Sequence, residues 1–138
     1  MKIFVDNDVI LDVLLKRESF EYSRELLTLI EQKQVKAFTS PIIFTNSFYI
    51  ITKVKNKSKA WAALKKIRLL FNVSNVTEKI VDLALASDFL DFEDAIQYYA
   101  ALEQKVDYIV IRNKKHFISK QVPIITPAEY VALINTNN

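Results

Sequence analysis

The 138-residue chain contains no glycine, no cysteine, a single histidine and three prolines. The missing glycine excludes the most. Only glycine lets a backbone wrap closely round a phosphate, so neither a G-x-G-x-x-G dinucleotide turn nor a GxxxxGK[ST] P-loop can exist here. Nucleotide cofactors bound by those routes are ruled out. Without cysteine there is no disulfide scaffold, thiolate zinc site or cysteine nucleophile. The lone His116 removes multi-histidine metal sites and argues against a Ser-His-Asp hydrolase. His116 itself reads as a structural residue, because nothing else supplies a base partner. No apolar run approaches the roughly 18 residues of a membrane span. Asp6, Asp8 and Asp12 break up the opening segment, so it is no signal-peptide core. These absences predict a cytoplasmic protein with no membrane contact.

What remains is ordinary in amount and uneven in place. Hydrophobic residues make up 51% and charged residues 25%, typical of a globular domain. At this length the chain predicts one domain, over residues 1–134, with 135–138 as a disordered tail. Net charge is +3, but residues 32–77 hold nine bases and no acid. On either side, 1–31 hold seven acids and 78–138 hold nine. The acid-free stretch reads either as a solvated helix face or as a surface for a phosphate backbone. On the second reading Lys53, Lys55 and Lys57 contact nucleic acid.

Short apolar runs alternate with helical periodicity. Ile3 to Val5, Lys36 to Phe38, Asn72 to Val76, Tyr108 to Ile111 and Val122 to Ile125 read as strands. Between them lie helices marked by Val9, Ile10, Val13 and Leu14, by Tyr22, Leu26, Leu27 and Ile30, and by Phe44, Phe48, Ile51 and Val54. Ser58 is the expected cap of a further helix with Trp61, Leu64, Ile67 and Phe71 facing inward. Thr77 and Asp91 are expected to cap the next two, and Thr126-Pro127-Ala128-Glu129 has the form of a capping box. Buried strands separated by helices predict a parallel sheet covered on both faces.

In such sheets the ligand crevice lies beyond the carboxyl ends of the strands. Asp6 and Asp8 follow the first strand, Asp94 lies in the first turn of a helix starting at the same edge, and Arg112 and Asn113 follow the fourth. Converging carboxylates without histidine or cysteine point to a hard divalent cation such as Mg²⁺ or Mn²⁺. Each acid also has a plainer role: Asp6 can cap a helix, and Asp94 can sit at N3 below Asp91. Asp12 and Asp88 read as surface acids. Arg112 reads as a rim cation able to bind substrate phosphate.

These residues resemble the PIN-domain nucleases, the family that contains the VapC-type toxins. Ile3-Phe4-Val5-Asp6-Asn7-Asp8-Val9 is similar to the family's first strand and Asp turn. Asp91-Phe92-Glu93-Asp94-Ala95-Ile96 is similar to its Asp-Ala helix. Tyr108 to Phe117, through Arg112, Asn113 and Lys114, is similar to its strand and following Arg-Asp/Asn segment, and Val122 to Glu129 to its ending. The resemblance implies a three-layer α/β/α fold with a central parallel sheet of four to five short strands. It implies a metal-dependent endoribonuclease of the kind that serves as the toxin of a toxin–antitoxin pair, with RNA as substrate, an antitoxin protein as partner and a homodimeric state. It implies that Asp6 and Asp94 are catalytic, that Asp6, Asp94 and Asp8 hold Mg²⁺ or Mn²⁺, and that Arg112 and Lys114 join the lysines on RNA. Two positions depart from the family. The helix after Pro41 brings no glutamate, leaving Asn46 and Ser47 nearest, and Asn113 replaces an acid. Asn113, Glu93 and Asn46 are therefore auxiliary site residues. Two alternatives stand beside this reading: a degraded, RNA- or protein-binding PIN-like module, and a phosphatase of haloacid-dehalogenase type built on Asp6-x-Asp8.

Overall fold

The computed structural model describes residues 1–17, 20–117 and 121–136, apart from the side chain of His116. The expectation for His116 therefore falls outside the described residues. Within them the chain runs β1 (Lys2–Val5), α1 (Asn7–Leu14), α2 (Phe20–Glu31), β2 (Lys36–Thr39), α3 (Pro41–Val54), α4 (Lys57–Leu70) and β3 (Asn72–Val73). It continues with α5 (Glu78–Leu85), α6 (Phe92–Glu103), β4 (Tyr108–Val110), a 3-10 turn (Lys114–His116), β5 (Ile124–Ile125) and α7 (Pro127–Thr136).

The five strands form one sheet in the order β3-β2-β1-β4-β5, every neighbouring pair parallel. Each parallel step needs a crossover, and crossovers are right-handed. The chain winds outward from β1 to β3, then returns to β4 and β5. The helices accordingly fall into two contacting groups: α1, α2, α3, α4 and α7, and α5 with α6. This is the expected three-layer α/β/α arrangement. The winding direction reverses between β1 and β4, which is where open α/β sheets place their crevice.

The middle strand is the driest. Ile3, Phe4 and Val5 are fully buried, as are Ile109 and Val110 opposite them. Continuous apolar strands of this kind suit a sheet with both faces covered. Burying a side chain such as Ile3 or Phe4 contributes about 2 kcal/mol each.

Several local expectations shift. Asn56, not Ser58, caps α4, its Oδ1 accepting from Lys59 N–H at 2.8 Å, so the helix starts one residue before Ser58. Trp61 is exposed rather than inward, although its ring meets Phe48 edge-on. Tyr22 and Val54 also lie outside the core. β3 and β5 are two residues long, as befits strands at the sheet edges with one neighbour each. α7 runs through Thr136, and residues 137–138 lie outside the described set. The capping box at Thr126 and Glu129 forms with both reciprocal bonds, at 3.0 and 3.2 Å.

With no glycine available, three helix ends use lysine in the left-handed region: Lys16 (φ 50°), Lys33 (φ 59°) and Lys105 (φ 54°). Arg17 N–H reaches back to the Asp12 carbonyl at 2.9 Å and Gln34 N–H to that of Leu29 at 3.1 Å. These long backward bonds are the pattern that usually selects glycine at such a position.

Candidate functional site

Asp6 is the first residue beyond β1. Its backbone N–H still bonds to the Val110 carbonyl at 3.0 Å, so the central strand pair fixes its position. Asp6 is also the N-cap of α1, its Oδ2 accepting from Asp8 N–H at 3.5 Å. Asn7 is buried behind it, with Oδ1 accepting from Ser47 Oγ at 2.9 Å. That bond ties the start of α1 to α3. Thr39 Oγ1 donates to the Val5 carbonyl at 3.4 Å, bracing the same strand end.

Across the crevice Asp91 caps α6, its Oδ1 accepting from Asp94 N–H at 3.0 Å. Asp94 therefore lies at N3, as the sequence indicated, where the helix dipole favours a carboxylate. Glu93 Oε1 accepts from Gln97 Nε2 at 3.1 Å, and Asn46 of α3 lines the same concavity beside Glu93.

These side chains surround one concavity of about 410 Å³, lined by Asp6, Asn7, Asp8, Asn46, Tyr49, Ile50, Asp91, Glu93 and Asp94. Five of those nine are acids, and the electrostatics follow. Burial, with Asp8 and Asp94 nearby, pushes the Asp6 carboxyl up to about 7. Burial also raises Glu93, and Asp91 and Asp8 add to the rise, while bonds from Asn46 and Gln97 oppose it. Asp6 and Asp94, from opposite ends of the chain, are thus electrostatic neighbours. A slightly larger cavity, about 450 Å³, lies beside Met1, Lys33, Lys36 and Leu69. It sits by the amino end of β1 and carries a single acid, Glu31.

The donors round the acidic concavity are all oxygen atoms, which suits a hard divalent cation. Among the described residues no three His, Cys, Asp or Glu side chains gather closely enough to hold a metal by themselves. An open arrangement of that kind fits magnesium, which takes one or two protein carboxylates and keeps water or substrate oxygens elsewhere.

The remaining sequence candidates are distributed round this centre. Asn113 caps the 3-10 turn, with Oδ1 accepting from Lys115 N–H at 3.1 Å, and does not line the concavity. Lys114 pairs with Glu129 at 2.9 Å. Lys53 lies over the Tyr49 ring at 5.2 Å, beside the concavity. Lys55 borders a separate groove with Lys59 and Lys66, and Lys57 is the first residue of α4.

Asp12 is a correction. Far from being a surface acid, it is 1% exposed and pairs with Arg112 at 2.8 Å and Arg17 at 3.6 Å. Arginine can accompany a carboxylate into the interior because its planar fork satisfies oxygen directionally. Arg17 and Gln97 also escaped the sequence reading. Gln97 is fully buried in an otherwise apolar stretch of α6, a placement that periodicity does not reveal.

A parallel sheet with a crevice at its switch point, ringed by carboxylates from the first strand end and a late helix, defines an α/β domain with an acidic rim. The PIN domain family model matches residues 2–115, and the chain belongs to that family. This membership removes the phosphatase alternative. Among solved structures, VapBC2 from Rickettsia felis, bound to a DNA fragment from its promoter, aligns with a TM-score of 0.71 at 15% identity, covering 91% of this chain and 98% of that one. A toxin–antitoxin complex from Klebsiella pneumoniae gives 0.69 at 20% identity, covering 91% and 97%. Mycobacterium tuberculosis VapC20, a sarcin-ricin loop cleaving toxin, gives 0.63 at 19% identity, covering 78% and 86%. No curated protein sequence matches the chain.

Proposed function

We propose that this PIN domain is a VapC-type toxin that hydrolyses RNA phosphodiesters at the Asp6–Asp94 concavity with Mg²⁺ or Mn²⁺. The observation that carries the reading is the forced proximity of Asp6 to Asp8 and Asp94 at the end of the central strand. Like charges crowded against a buried carboxylate are under strain that a divalent cation relieves. Asp6 and Asp94 would hold the ion, with Asp8 beside them. When bound, such an ion activates water and offsets the charge that develops on phosphorus.

The protein's own groups have separate tasks. Asp91 and the α6 backbone orient Asp94. Ser47 and Asn7 fix the turn that presents Asp6. Glu93, steadied by Asn46 and Gln97, supplies from α6 the carboxylate that α3 lacks. Tyr49 and Lys53 stand beside the concavity, where a base can stack and a phosphate can be neutralised. The acid-free segment 32–77 guides the polyanion towards it. The toxin–antitoxin structures of similar fold support an antitoxin as partner. A homodimer and a cytoplasmic site of action complete the proposal.

Purified protein incubated with structured RNA and Mn²⁺ tests the mechanism. Cleavage is expected, and loss of about a hundredfold or more in Asp94→Asn and Asp6→Ala. Cleavage that persists unchanged in both variants overturns it. The neutral Asn46 and Asn113, standing where the family resemblance leads one to expect acids, favour a second reading, a PIN module that binds RNA or protein without cutting RNA. Calorimetry separates the two: Mn²⁺ binding that is lost in Asp6→Ala excludes the degraded site.

A further inference from the structure

Among the described residues Asp12 is the most deeply buried carboxylate in an ion pair, and it anchors two arginines. Its Oδ1 accepts from Arg112 Nη1 at 2.8 Å and lies 3.6 Å from Arg17 Nη1. The backbone N–H of Arg17 also donates to the Asp12 carbonyl at 2.9 Å, across the left-handed Lys16. Asp12 Oδ2 is buried without a hydrogen-bond partner. Both guanidiniums also reach Asp8. Arg17 Nη1 lies 3.6 Å from its Oδ1, and Arg112 Nη2 lies 3.8 Å from its Oδ2.

The two ends of this cluster differ. The Asp12 end is dry and contains the one short contact. The Asp8 end is long and wet, with Asp8 43% and Arg112 45% exposed in their side chains. Contacts of that kind hold weakly, typically below about 1 kcal/mol. Satisfying Asp12 needs one arginine, and the second adds a cation beside the concavity that Asp8 lines. The two Asp8 oxygens each face a different arginine, as the two non-bridging oxygens of a phosphodiester would.

We propose that Arg17 and Arg112 form a phosphate clamp positioned by Asp12, which Asp8 occupies in the free protein and a phosphodiester of bound RNA takes over. The proposal rests on the RNA reading of the neighbouring concavity. Asp12 is a positioning residue: it fixes two flexible side chains before substrate arrives. Asp8 acts as an internal stand-in, so its release on substrate binding turns a carboxylate towards the other acids as the phosphate enters.

Fluorescence anisotropy with a labelled RNA hairpin, in EDTA so that nothing is cut, tests the clamp. Arg17→Ala and Arg112→Ala are each expected to weaken binding about tenfold and to lower the slope of log K against log salt by roughly 0.7–0.9. Asp8→Asn is expected to tighten binding several-fold. Asp91→Asn removes an acid from the same concavity but pairs with neither arginine, so it measures the general charge effect. Asp8→Asn must exceed it, and the excess must vanish in the Arg17→Ala/Arg112→Ala background. Asp12→Asn is expected to weaken binding without changing the number of cations, and thermal melts show whether it folds. If it does not, the arginine variants decide. Unchanged salt slopes in both arginine variants, or equal effects of Asp8→Asn and Asp91→Asn, overturn the clamp. So does displacement of the RNA by polyglutamate at equal charge concentration, which would make the site a reader of acidic protein. Wild-type protein that binds no RNA at all overturns the functional reading itself. RNA cleavage with undisturbed arginine variants overturns the clamp alone.

Discussion

The Ser47 hydroxyl on α3 donates to Oδ1 of Asn7 at the start of α1, 2.9 Å away and out of solvent. The two residues stand on helices that leave neighbouring strands, and Asn7 sits between Asp6 and Asp8. The bond therefore sets the direction in which both acids leave β1. Ser47→Ala leaves a buried acceptor unpaired, which costs about 1–3 kcal/mol. A lower melting temperature is expected, together with a fall in RNA cleavage larger than the stability loss explains. Melting curves and initial rates on the same preparation check this. Activity equal to wild type in a destabilised variant would show that the turn holds its shape without the bond.

The raised pKa of Asp6 makes the metal-free protein pH-sensitive. The carboxyl titrates near 3.8 when unfolded and at about 7 when folded. Below the lower value both states keep the proton. Between the two values the folded state holds a proton that the unfolded state has released. Stability is therefore lost as pH rises through this window and levels off above it. In EDTA the melting temperature is expected to fall from pH 4 to 7 by more in the wild type than in Asp6→Asn. Saturating Mn²⁺ should raise it more at pH 8 than at pH 5, because the cation binds the ionised form. Identical pH slopes in wild type and Asp6→Asn would contradict the shift.

Asn46 faces Glu93 across the crevice and opposes the rise of its pKa, which makes their identities interdependent. Asn46→Glu alone sets a second carboxylate against Glu93, and cleavage is expected to fall about tenfold. Glu93→Gln alone removes the compensating charge and should cost a similar factor. The double variant Asn46→Glu/Glu93→Gln restores one acid and one amide in exchanged places. Its activity is expected to exceed that of either single variant. Simple multiplication of the two losses, measured by initial rates, would show that the pair does not act as a unit.

The left-handed lysines are a source of added stability. A non-glycine residue in this region costs about 1–2 kcal/mol. Lys33→Gly and Lys105→Gly are each expected to raise the melting temperature by a few degrees, part of the gain being offset by the freer unfolded chain. Neither residue lines the acidic concavity, so cleavage rates should stay unchanged. A fall in melting temperature would mean that the lysine side chains contribute contacts that outweigh the backbone relief.

Strand and helix order was legible in the sequence because burial on both faces leaves runs such as Ile3-Phe4-Val5 with no polar interruption. The helix starts at Thr77, Asp91 and Thr126 were legible because capping chemistry is local. The cap at Asn56 was missed because Ser58, two residues later, is equally able to cap. Trp61 was placed inward because size and apolarity suggested it, whereas α4 packs on α3 through Phe48 and the core lies beneath Ile67. The convergence of Asp6, Asp8 and Asp94 followed from topology alone. The burial of Asp12 did not, since it depends on Arg112, a hundred residues away, and no local pattern reports a pairing at that separation. The surroundings of Glu93 were illegible for the same reason: Asn46, which lines the same concavity, comes from another helix.

The central strand β1 and its partner β4 are separated by about a hundred residues of chain. Asp6 is held by Val110, and Asp94 reaches it only once α6 has folded back over the sheet. The acidic crevice is therefore a long-range product of folding, and a chain in which the two distant strands have not yet met carries no complete site.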